Sequence, residues 1–566
     1  MLEPIISPLQ YYLNDAKSRH AKNVRAYLDL AVQESKVDKE ENAKTVQAYD
    51  SLQTEIHARQ NDISKKKSAR AWAIVGAILI AVCVVGVAAY CGLPLPFVVA
   101  LGILLCVAGI VVLVKTHKSH TSSLNALTQE LQNLQNESNK VLQQAKKQTF
   151  PLCSLLTDKV ALQLVSKTMP CFAFDDYLSQ ERFAELVQKY GFRDPVDTLS
   201  YTVDTLSGEL YGSPFLYLQT CNHYIGTKTY TGSLHISWTT TSRDSQGKTI
   251  TQHHSQTLYA SLIRPYPYFN LHTAMYYGNE AVPNVDFSRT YQHVEDKTDE
   301  QVARTVRKGE RKIERLENTA LKTGDDFMGV LNSEFDVLFG ATNRTDDYEF
   351  REMFTPRAQE SMLELLRYAD GYGDDFTFSK SGTICTIVSE HMQRLPLSPV
   401  SALYHSHDLK KVEQSFIAEN EEFFKSVYFD FAPLLLIPPY QQPLIPSKAV
   451  TQGAPSYHTR ETIAWRLREE LLPCDADTEG VYKTELLESE NGVERIRVSV
   501  LAYRKEARRS YENVYGGDGR MHSVPIDWYE YIPTKSSAII KLEPTTPYNA
   551  SPETATKFHG FFAYVE

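Results

Sequence analysis

The sequence predicts an α+β protein in which a transmembrane helical hairpin and an antiparallel coiled-coil stalk carry a mixed α+β cytoplasmic region that contains an antiparallel sheet. Three observations lead to this fold class. Two runs without a charged residue, 71–90 and 97–114, are each long enough to cross a bilayer. Heptad-like patterns of apolar residues flank both runs. Beyond residue 214, segments rich in Thr, Tyr, Ile and Val alternate between apolar and polar residues.

Composition and charge limit the classes of function. At 566 residues the chain is long enough for about three folded units. Its formal net charge of -10 and its pI of about 5.9 argue against nucleic acid as the main partner, because a phosphate-binding protein needs a basic footprint. A local basic patch stays open. The eight cysteines show no regular spacing, which predicts free thiols in a reducing compartment.

The two uncharged runs predict the membrane anchor. As a helix, 71–90 covers about 30 Å, which is the thickness of the hydrocarbon core, and 97–114 is slightly shorter. Lys and Arg flank the outer ends of both runs and are absent from the Pro-rich turn between them. The positive-inside rule therefore predicts a plasma-membrane protein with both termini in the cytoplasm and the lipid bilayer as a partner. The alternative is a pair of helices buried in a large protein core.

Apolar residues continue at alternating steps of three and four on both sides of the hairpin. After the second run the pattern comprises Leu124, Leu127, Leu131, Leu134, Ser138, Val141 and Ala145. Before the first run it comprises Val46, Tyr49, Gln53, Ile56, Gln60 and Ile63. Because a hairpin makes the two arms neighbours, we expect an antiparallel coiled coil within one chain, with pairing between chains as the alternative. Residues 8–35 predict a further amphipathic helix.

Changes in composition divide the chain into segments. We expect N-terminal amphipathic and coiled-coil helices over 1–70, the transmembrane hairpin over 71–114, a coiled-coil return helix over 115–149, a β-rich α+β domain over 150–295, a charged helix over 296–323, an α+β domain ending in a Pro-rich linker over 324–446 and a C-terminal α+β domain over 447–566. Alternation over 214–266 and the turn residues Asp244-Ser-Gln-Gly247 predict a β-hairpin. Residues 335–341 predict a strand, and Thr355 before Pro356 predicts the start of a helix.

The charged helix presents six basic residues among glutamates: Arg304, Arg307, Lys308, Arg311, Lys312 and Arg315. Opposite charges spaced by one helical turn predict a solvated helix with ion pairs along its own surface. A surface for anionic lipid or nucleic acid is the alternative. The intervening glutamates favour the solvated helix.

His405, His407 and Asp408 are the candidate metal site. Two histidines at i and i+2 share one face of an extended chain, and Asp408 adds a carboxylate oxygen, which together form a donor set that zinc uses. The alternative is an ordinary polar loop, because no further ligand pattern flanks these residues. Glu280 is a weaker candidate for a general acid or base, because no paired carboxylate is readable near it. Phosphate-binding and serine-nucleophile motifs are absent from the sequence, so we assign no catalytic residue and expect no cofactor.

One passage carries a family resemblance. Phe335-Asp-Val-Leu338, followed by Phe354-Thr-Pro-Arg357 at the start of a helix and preceded by the two uncharged runs, resembles an uncharacterised group of bacterial two-span membrane proteins with a galanin-like label. The resemblance covers about a quarter of the chain. It implies a bacterial plasma-membrane protein, and it carries over no activity because the group has none assigned.

These features predict a membrane-anchored cytoplasmic scaffold or sensor that acts by protein–protein interaction, with a protein partner or a second copy of the chain, rather than an enzyme. Two alternatives stay open. The first is a membrane-permeabilising effector of bacterial self-killing or phage defence, in which hairpins assemble through the small residues Ala73, Ala77 and Ala81. The second is a metal-dependent hydrolase that uses His405, His407 and Asp408.

Overall fold

The chain forms two compact units in a computed structural model. The β unit comprises Met1–Val24, Asp158–Pro399 and Asn420–Glu566, and the helical unit comprises Arg25–Thr157 and Val400–Glu419. The structure describes residues 4–566 apart from 91–94, 244, 325–326, 395, 398–403, 444–452, 545–555 and 559–560. It describes the backbone but not the side chains of the other residues in 69–122, of residue 158 and of 556–558.

The described helices and strands follow one another as an α+β chain. The helices are α1 (Pro8–Tyr11), α2 (Lys17–Ser35), α3 (Lys39–Tyr90), α4 (Leu95–Cys153), α5 (Asp158–Thr168), α6 (Gln180–Gln188), α7 (Asp299–Thr323), α8 (Ser333–Phe339), α9 (Asp347–Met353), α10 (Pro356–Leu366), α11 (Leu409–Leu435), α12 (Tyr457–Arg466) and α13 (Arg468–Leu471). The strands are β1 (Phe172–Phe174), β2 (Ser200–Leu210), β3 (Ser213–Arg243), β4 (Thr249–Gly278), β5 (Phe287–Arg289), β6 (Phe376–Ser381), β7 (Ile384–Ser389), β8 (Val481–Glu490), β9 (Val493–Tyr515), β10 (Met521–Pro544), β11 (Thr556–Phe558) and β12 (Phe561–Val565). A π-helical turn at Tyr12–Ala16 joins α1 to α2.

The predicted transmembrane hairpin needs correction. Within the residues that the structure describes, no helix combines the length and the apolar character that crossing a bilayer requires. This finding also overturns three predictions that depend on the hairpin: the fold class with a membrane anchor, the two-span plasma-membrane location and the cytoplasmic placement of the termini. The described parts of the two longest helices are long enough, but they are rich in Lys, Glu, Gln and Asn and bury only a one-sided stripe of residues. The runs 71–90 and 97–114 form the last part of α3 and the first part of α4, and their side chains lie outside the described residues.

In the helical unit, α3 and α4 pack side by side in opposite directions. Gln53 Nε2 donates to Ser138 Oγ across 2.8 Å, and an ion pair at 3.0 Å joins Arg59 to Glu130. Contacts further along α3 are thus made with earlier residues of α4, which shows that the two helices are antiparallel. The residues buried along the two helices include Ile56, Ile63, Leu124 and Ala145, which belong to the apolar patterns read from the sequence. The two helical arms therefore pair within one chain, as the hairpin prediction requires.

The β unit contains two antiparallel sheets. The larger has the strand order β1-β2-β3-β4-β7-β6-β5 and the smaller has the order β11-β12-β10-β9-β8. Helices α8 to α10 and the second half of α11 pack with the larger sheet in one extensive apolar core, which includes Phe335, Phe350, Phe378 and Phe431. Helix α12 joins β2 and the smaller sheet in a second core around Tyr201, Ile463 and Val498. The α+β class and the antiparallel sheet are thus confirmed.

Both sheets extend into one long arm. Strands β3 and β4 pair with each other over their whole length, whereas β2 reaches only Asn222 and β7 begins to pair at Met275. In the smaller sheet, β9 and β10 likewise continue beyond β8 and β12. We call residues 223–269 and 503–533 the arm. The two hairpins of the arm pack against each other through Ile236, Leu258 and Val524.

Two of the local structure predictions are confirmed, and two are wrong because tertiary packing determines the structure there. The hairpin with its turn ending at Gly247, where φ is +80°, and the helix start at Thr355 are confirmed. Of the residues 335–341, Phe335–Phe339 belong to helix α8 instead of a strand, and Gly340 ends the helix with a positive φ. The cap at Asn332 starts this helix, and successive turns bury Phe335, Leu338 and Phe339. The Pro-rich segment is not a linker in its described part, because Leu434–Ile437 and Tyr440 are buried in the core.

The N-terminal segment belongs to the β unit. The Ile5 N–H donates to Gln441 Oε1 across 2.7 Å, and Gln441 Nε2 donates back to the Ile5 carbonyl across 2.9 Å. The Tyr12 ring lies 5.0 Å from that of Tyr428. The two ends of this interface are more than four hundred residues apart in the chain, so only tertiary packing fixes the position of the first helix.

Candidate functional site

The structure places the predicted metal ligands His405, His407 and Asp408 in the loop before α11. Asp408 Oδ1 accepts the Lys410 N–H at 2.9 Å, which is the interaction of a helix cap. The His407 ring lies edge-on to Tyr49, with ring centroids 5.0 Å apart, and its carbonyl accepts a bond from Asn42 Nδ2. His405 is exposed. Asp408 thus has a structural role, and metal binding by the three residues stays a prediction.

The structure brings together a different set of three ligand-type residues. Side-chain atoms of His293, Glu295 and Asp296, around the 3-10 turn Val294–Asp296, all lie within 4.8 Å of one another, which is the one such group among the described residues. Glu295 Oε2 also accepts the Asp374 N–H at 3.1 Å, and burial together with Asp374 raises the pKa of Glu295. A nitrogen and two carboxylates suit a divalent cation. The sequence signal, His-x-Glu-Asp, was too short to be noticed.

His391 forms a deeply buried titratable centre with two charged partners. Its Nδ1 lies 2.6 Å from Asp375 Oδ2, and its Nε2 lies 2.8 Å from Asp430 Oδ1. All three side chains are at most 4% exposed. Asp375 directly precedes β6, His391 follows β7, and Asp430 lies in α11, so the histidine joins the end of a β-hairpin to a core helix.

Further hydrogen bonds hold the second carboxylate in place. Ser389 Oγ donates to Asp430 Oδ1 at 2.8 Å, and the Tyr217 hydroxyl donates to Asp430 Oδ2 at 3.1 Å. Burial opposes a charge on the imidazole, but Asp430 and Asp375 outweigh it and raise the pKa of His391 to about 9. The centre is therefore an imidazolium between two carboxylates at neutral pH.

The contacts run from Ser389 to His391 to Asp375, as they do in a nucleophilic triad. The protonation of the histidine, however, is different. Ser389 Oγ lies 3.3 Å from His391 Nε2, as a triad serine would. A general base must be free to accept a proton, whereas this imidazole is already protonated and directs Nε2 to Asp430. The adjoining cavity, lined by Tyr217 and Asp430, measures about 10 Å³, which holds one water at most. The arrangement is a buried ion-pair centre rather than a hydrolytic site.

The weaker sequence candidates have ordinary roles. Glu280 is mostly exposed and lies 3.1 Å from Lys189, so it forms a surface ion pair. His254 stacks on Trp238 inside the arm and contacts Thr240, whereas its neighbour His253 faces outward. The Gly516–Gly519 segment is the hairpin turn between β9 and β10.

The arm is built from inward-facing residues at even-numbered positions of β3 and β4. Gly232 allows the closest approach, because a Cβ there would lie 2.0 Å from the Pro525 carbonyl oxygen. The Arg264 guanidinium lies over the Trp528 ring at 4.9 Å, and Tyr266 meets Tyr531 edge-on with centroids 5.0 Å apart. These contacts fix the two hairpins as one two-layered ribbon.

The odd-numbered positions from 225 to 241 on β3 and from 251 to 265 on β4 form an outer face, which we call the uncharged face. It comprises Ile225, Thr227, Thr229, Thr231, Ser233, His235, Ser237, Thr239 and Thr241 on β3, and Thr251, His253, Ser255, Thr257, Tyr259, Ser261, Ile263 and Pro265 on β4. All of these described residues are exposed, and none carries a formal charge at neutral pH with histidine neutral. By contrast, exposed ion pairs on β9–β10 join Arg508 to Glu530 and Arg509 to Asp527. The two hairpins of the arm thus differ sharply in surface chemistry.

Comparison of the chain with protein-family models, curated proteins and solved structures finds no match. The resemblance to galanin-like bacterial membrane proteins therefore stays a prediction, and the function has to be inferred from the geometry alone.

Proposed function

We propose that this protein is a non-enzymatic interaction protein whose arm associates with a second copy of the same chain through the uncharged face. The observation that carries the proposal is the length of exposed sheet surface without a charge. The exposed surfaces of monomeric proteins ordinarily carry charged residues of both signs, which keep the molecules apart in solution. Protein interfaces are depleted in charged residues and enriched in tyrosine at their centre.

The composition of the face favours its own copy as the occupant. Two identical charged faces would repel each other, whereas two uncharged faces incur no such cost when they dock. Tyr259 is 72% exposed and Ile263 is 61% exposed, so each face offers apolar side chains that docking would remove from water. Threonine and serine hydroxyls both donate and accept, so they can pair with identical hydroxyls across a two-fold axis.

The size of the face is sufficient for a specific dimer. From Ile225 to Thr241 the ribbon runs about 55 Å, and a two-stranded ribbon is roughly 10 Å wide. Two such faces in full contact would cover about 1,100 Å² in total, just above the roughly 1,000 Å² expected of a biological interface. A dimer of moderate affinity is therefore the expected state.

The experiment is sedimentation velocity of the full chain over a wide range of concentrations. Thr229 and Ile263 are cross-strand neighbours at the centre of one half of the face. The double variant Thr229→Lys, Ile263→Lys places two like charges on each copy, and we expect it to raise the dimer dissociation constant at least about tenfold. Circular dichroism of the variant should be unchanged, because both residues are exposed.

Tyr511→Lys is the matched control. Tyr511 is 61% exposed on β9 and lies outside the uncharged face, so this variant should dimerise as the unaltered chain does. A chain that sediments as a monomer at every concentration would contradict the proposal. So would an equal loss of association in the control.

A further inference from the structure

Helix α7 gathers six of its basic residues on one face. At 100° per residue, Arg304, Arg307, Lys308, Arg311, Lys312 and Arg315 all fall within an arc of about 140°, which we call the basic stripe. Val302, Ile313 and Ala320 are buried on the opposite side of the helix. All six basic residues are exposed. The stripe therefore faces solvent along the whole middle of the helix.

The ion pairs predicted from the sequence are almost all missing. Within the described residues, Arg304 is the one member of the stripe with an acidic atom within 4.0 Å, and its distance to Glu300 is 3.9 Å. The glutamates bind elsewhere: Glu310 accepts a bond from Ser333 Oγ, and Glu317 accepts the Gly329 N–H, each at 2.8 Å. Glu310 and Glu314 are exposed and line one pocket together with Arg307 and Arg311, so this edge of the stripe has acidic neighbours. Among the described residues, Lys308, Lys312 and Arg315 have no acidic atom within 4.0 Å.

We propose that the basic stripe binds the phosphate backbone of duplex DNA. From Arg304 to Arg315 the helix rises about 16 Å, which spans about five phosphates of one strand at 3.4 Å each. A helix with its side chains is about 10 to 12 Å across and fits the major groove of B-form DNA, about 12 Å wide. The narrow major groove of an RNA duplex admits no such element.

The side chains of the stripe favour a duplex over a single strand. Single-strand binding proteins stack bases on aromatic side chains, and α7 has no aromatic residue. Arginine and lysine contacts to phosphate carry no base information, so binding is independent of sequence. The net charge of -10 keeps the rest of the surface unfavourable to DNA, which confines binding to the stripe. The overall charge argued against nucleic acid as the main partner but left a local basic patch open, and the basic stripe is such a patch.

Fluorescence anisotropy of a labelled duplex of mixed sequence tests the proposal, with the full chain titrated at several salt concentrations. We expect the logarithm of the binding constant to fall linearly with the logarithm of salt concentration. The triple variant Arg307→Gln, Arg311→Gln, Arg315→Gln should lower the steepness of that line by about 0.9 for each charge removed.

Arg497→Gln, Arg508→Gln, Arg509→Gln is the matched control, because it removes the same charge from exposed arginines that already pair with Glu485, Glu530 and Asp527. It should leave the salt dependence unchanged. Equal weakening by both triple variants would overturn the proposal, as would tighter binding of a single strand of the same length. Binding of a labelled polyglutamate peptide, with no measurable binding of the duplex, would identify an acidic protein as the partner instead. Unchanged thermal unfolding of both variants excludes misfolding as the cause.

Discussion

His391 Nε2 lies 2.8 Å from Asp430 Oδ1 and its Nδ1 lies 2.6 Å from Asp375 Oδ2, so one side chain connects the end of a β-hairpin to the last turns of α11. Both carboxylates and the imidazole are almost wholly buried. The charge on the histidine is therefore part of what holds the larger core together, and this dependence has a measurable pH profile.

The stability of the chain should fall at alkaline pH because of His391. The folded pKa is about 9 and the ordinary value is 6.5, so the stabilisation is complete below about pH 6.5 and is lost as the pH rises through 9. The shift corresponds to about 3 kcal/mol. Urea unfolding at pH 6 and pH 10 checks this: the stability difference between the unaltered chain and His391→Gln should shrink at the higher pH. If the difference in unfolding free energy between the two proteins were the same at both pH values, His391 would stabilise the fold by packing and not by its charge.

Removal of one carboxylate should be costly at neutral pH. Asp430→Asn leaves a buried imidazolium with one charged partner, and we expect a loss of about 3 kcal/mol in the free energy of unfolding. The matched control is Asp370→Asn, because Asp370 is 57% exposed in its pair with Lys425 and should contribute no more than about 1 kcal/mol. Chemical denaturation of the two variants distinguishes the cases. Similar losses in both would be inconsistent with a charged centre at His391.

A side chain at Gly232 should push the two hairpins of the arm apart. Gly232→Val introduces carbon atoms where the Pro525 carbonyl lies, and overpacking of this kind costs about 1 to 3 kcal/mol. Separation would also move Arg264 from Trp528, so the tryptophan fluorescence should change. Ser233→Val, on the exposed side of the same strand, is the control and should leave the fluorescence unaltered.

His20 should make the chain sensitive to acid. Burial lowers its pKa to about 4, against a weaker opposing effect of the hydrogen bond from Nε2 to the Asn420 carbonyl. Because the unfolded chain takes up a proton near pH 6.5 and the folded chain does so only near 4, stability falls between these values by about 3 kcal/mol. Unfolding of His20→Gln at pH 7 and pH 4.5 measures the effect. If the variant lost as much stability in acid as the unaltered chain, other groups would be responsible.

Regular patterns in the sequence predicted the parts of the fold that local forces determine. Spacing and turn residues indicate the alternation in β3 and β4, the charged helix and the start of α10. These elements were predicted to within a few residues. Helix α8 was not, because Phe335 to Phe339 gives a run too short for its period to be read. The Pro-rich segment failed for a related reason: proline predicts an interruption of structure but does not report whether the neighbouring leucines are buried.

The buried His391 centre was missed although part of its signal was present. The alternation over 374–389 indicates a strand or strand pair with a turn at Lys380-Ser-Gly382. The observed pairing of β6 with β7 places Asp375 beside Glu390, which precedes His391 in the chain. Asp430 was not predictable, because no pattern links a helix residue to a hairpin end forty residues earlier. His405 and His407 were predicted as a site because they are close together in the sequence. The partners of His391 come from distant residues, so no sequence spacing indicates them.

The reciprocal hydrogen bonds between Ile5 and Gln441 can form only late in the synthesis of the chain. A ribosome adds about 5 to 20 residues per second, so the first helix emerges roughly 20 to 90 seconds before the segment that covers it. During that interval Ile5, Leu9 and Tyr12 have none of their final neighbours from α11. The chain is therefore expected to rely on a holding chaperone at its N-terminus, and a circular permutant that begins just before α11 would place the covering helix ahead of the first helix.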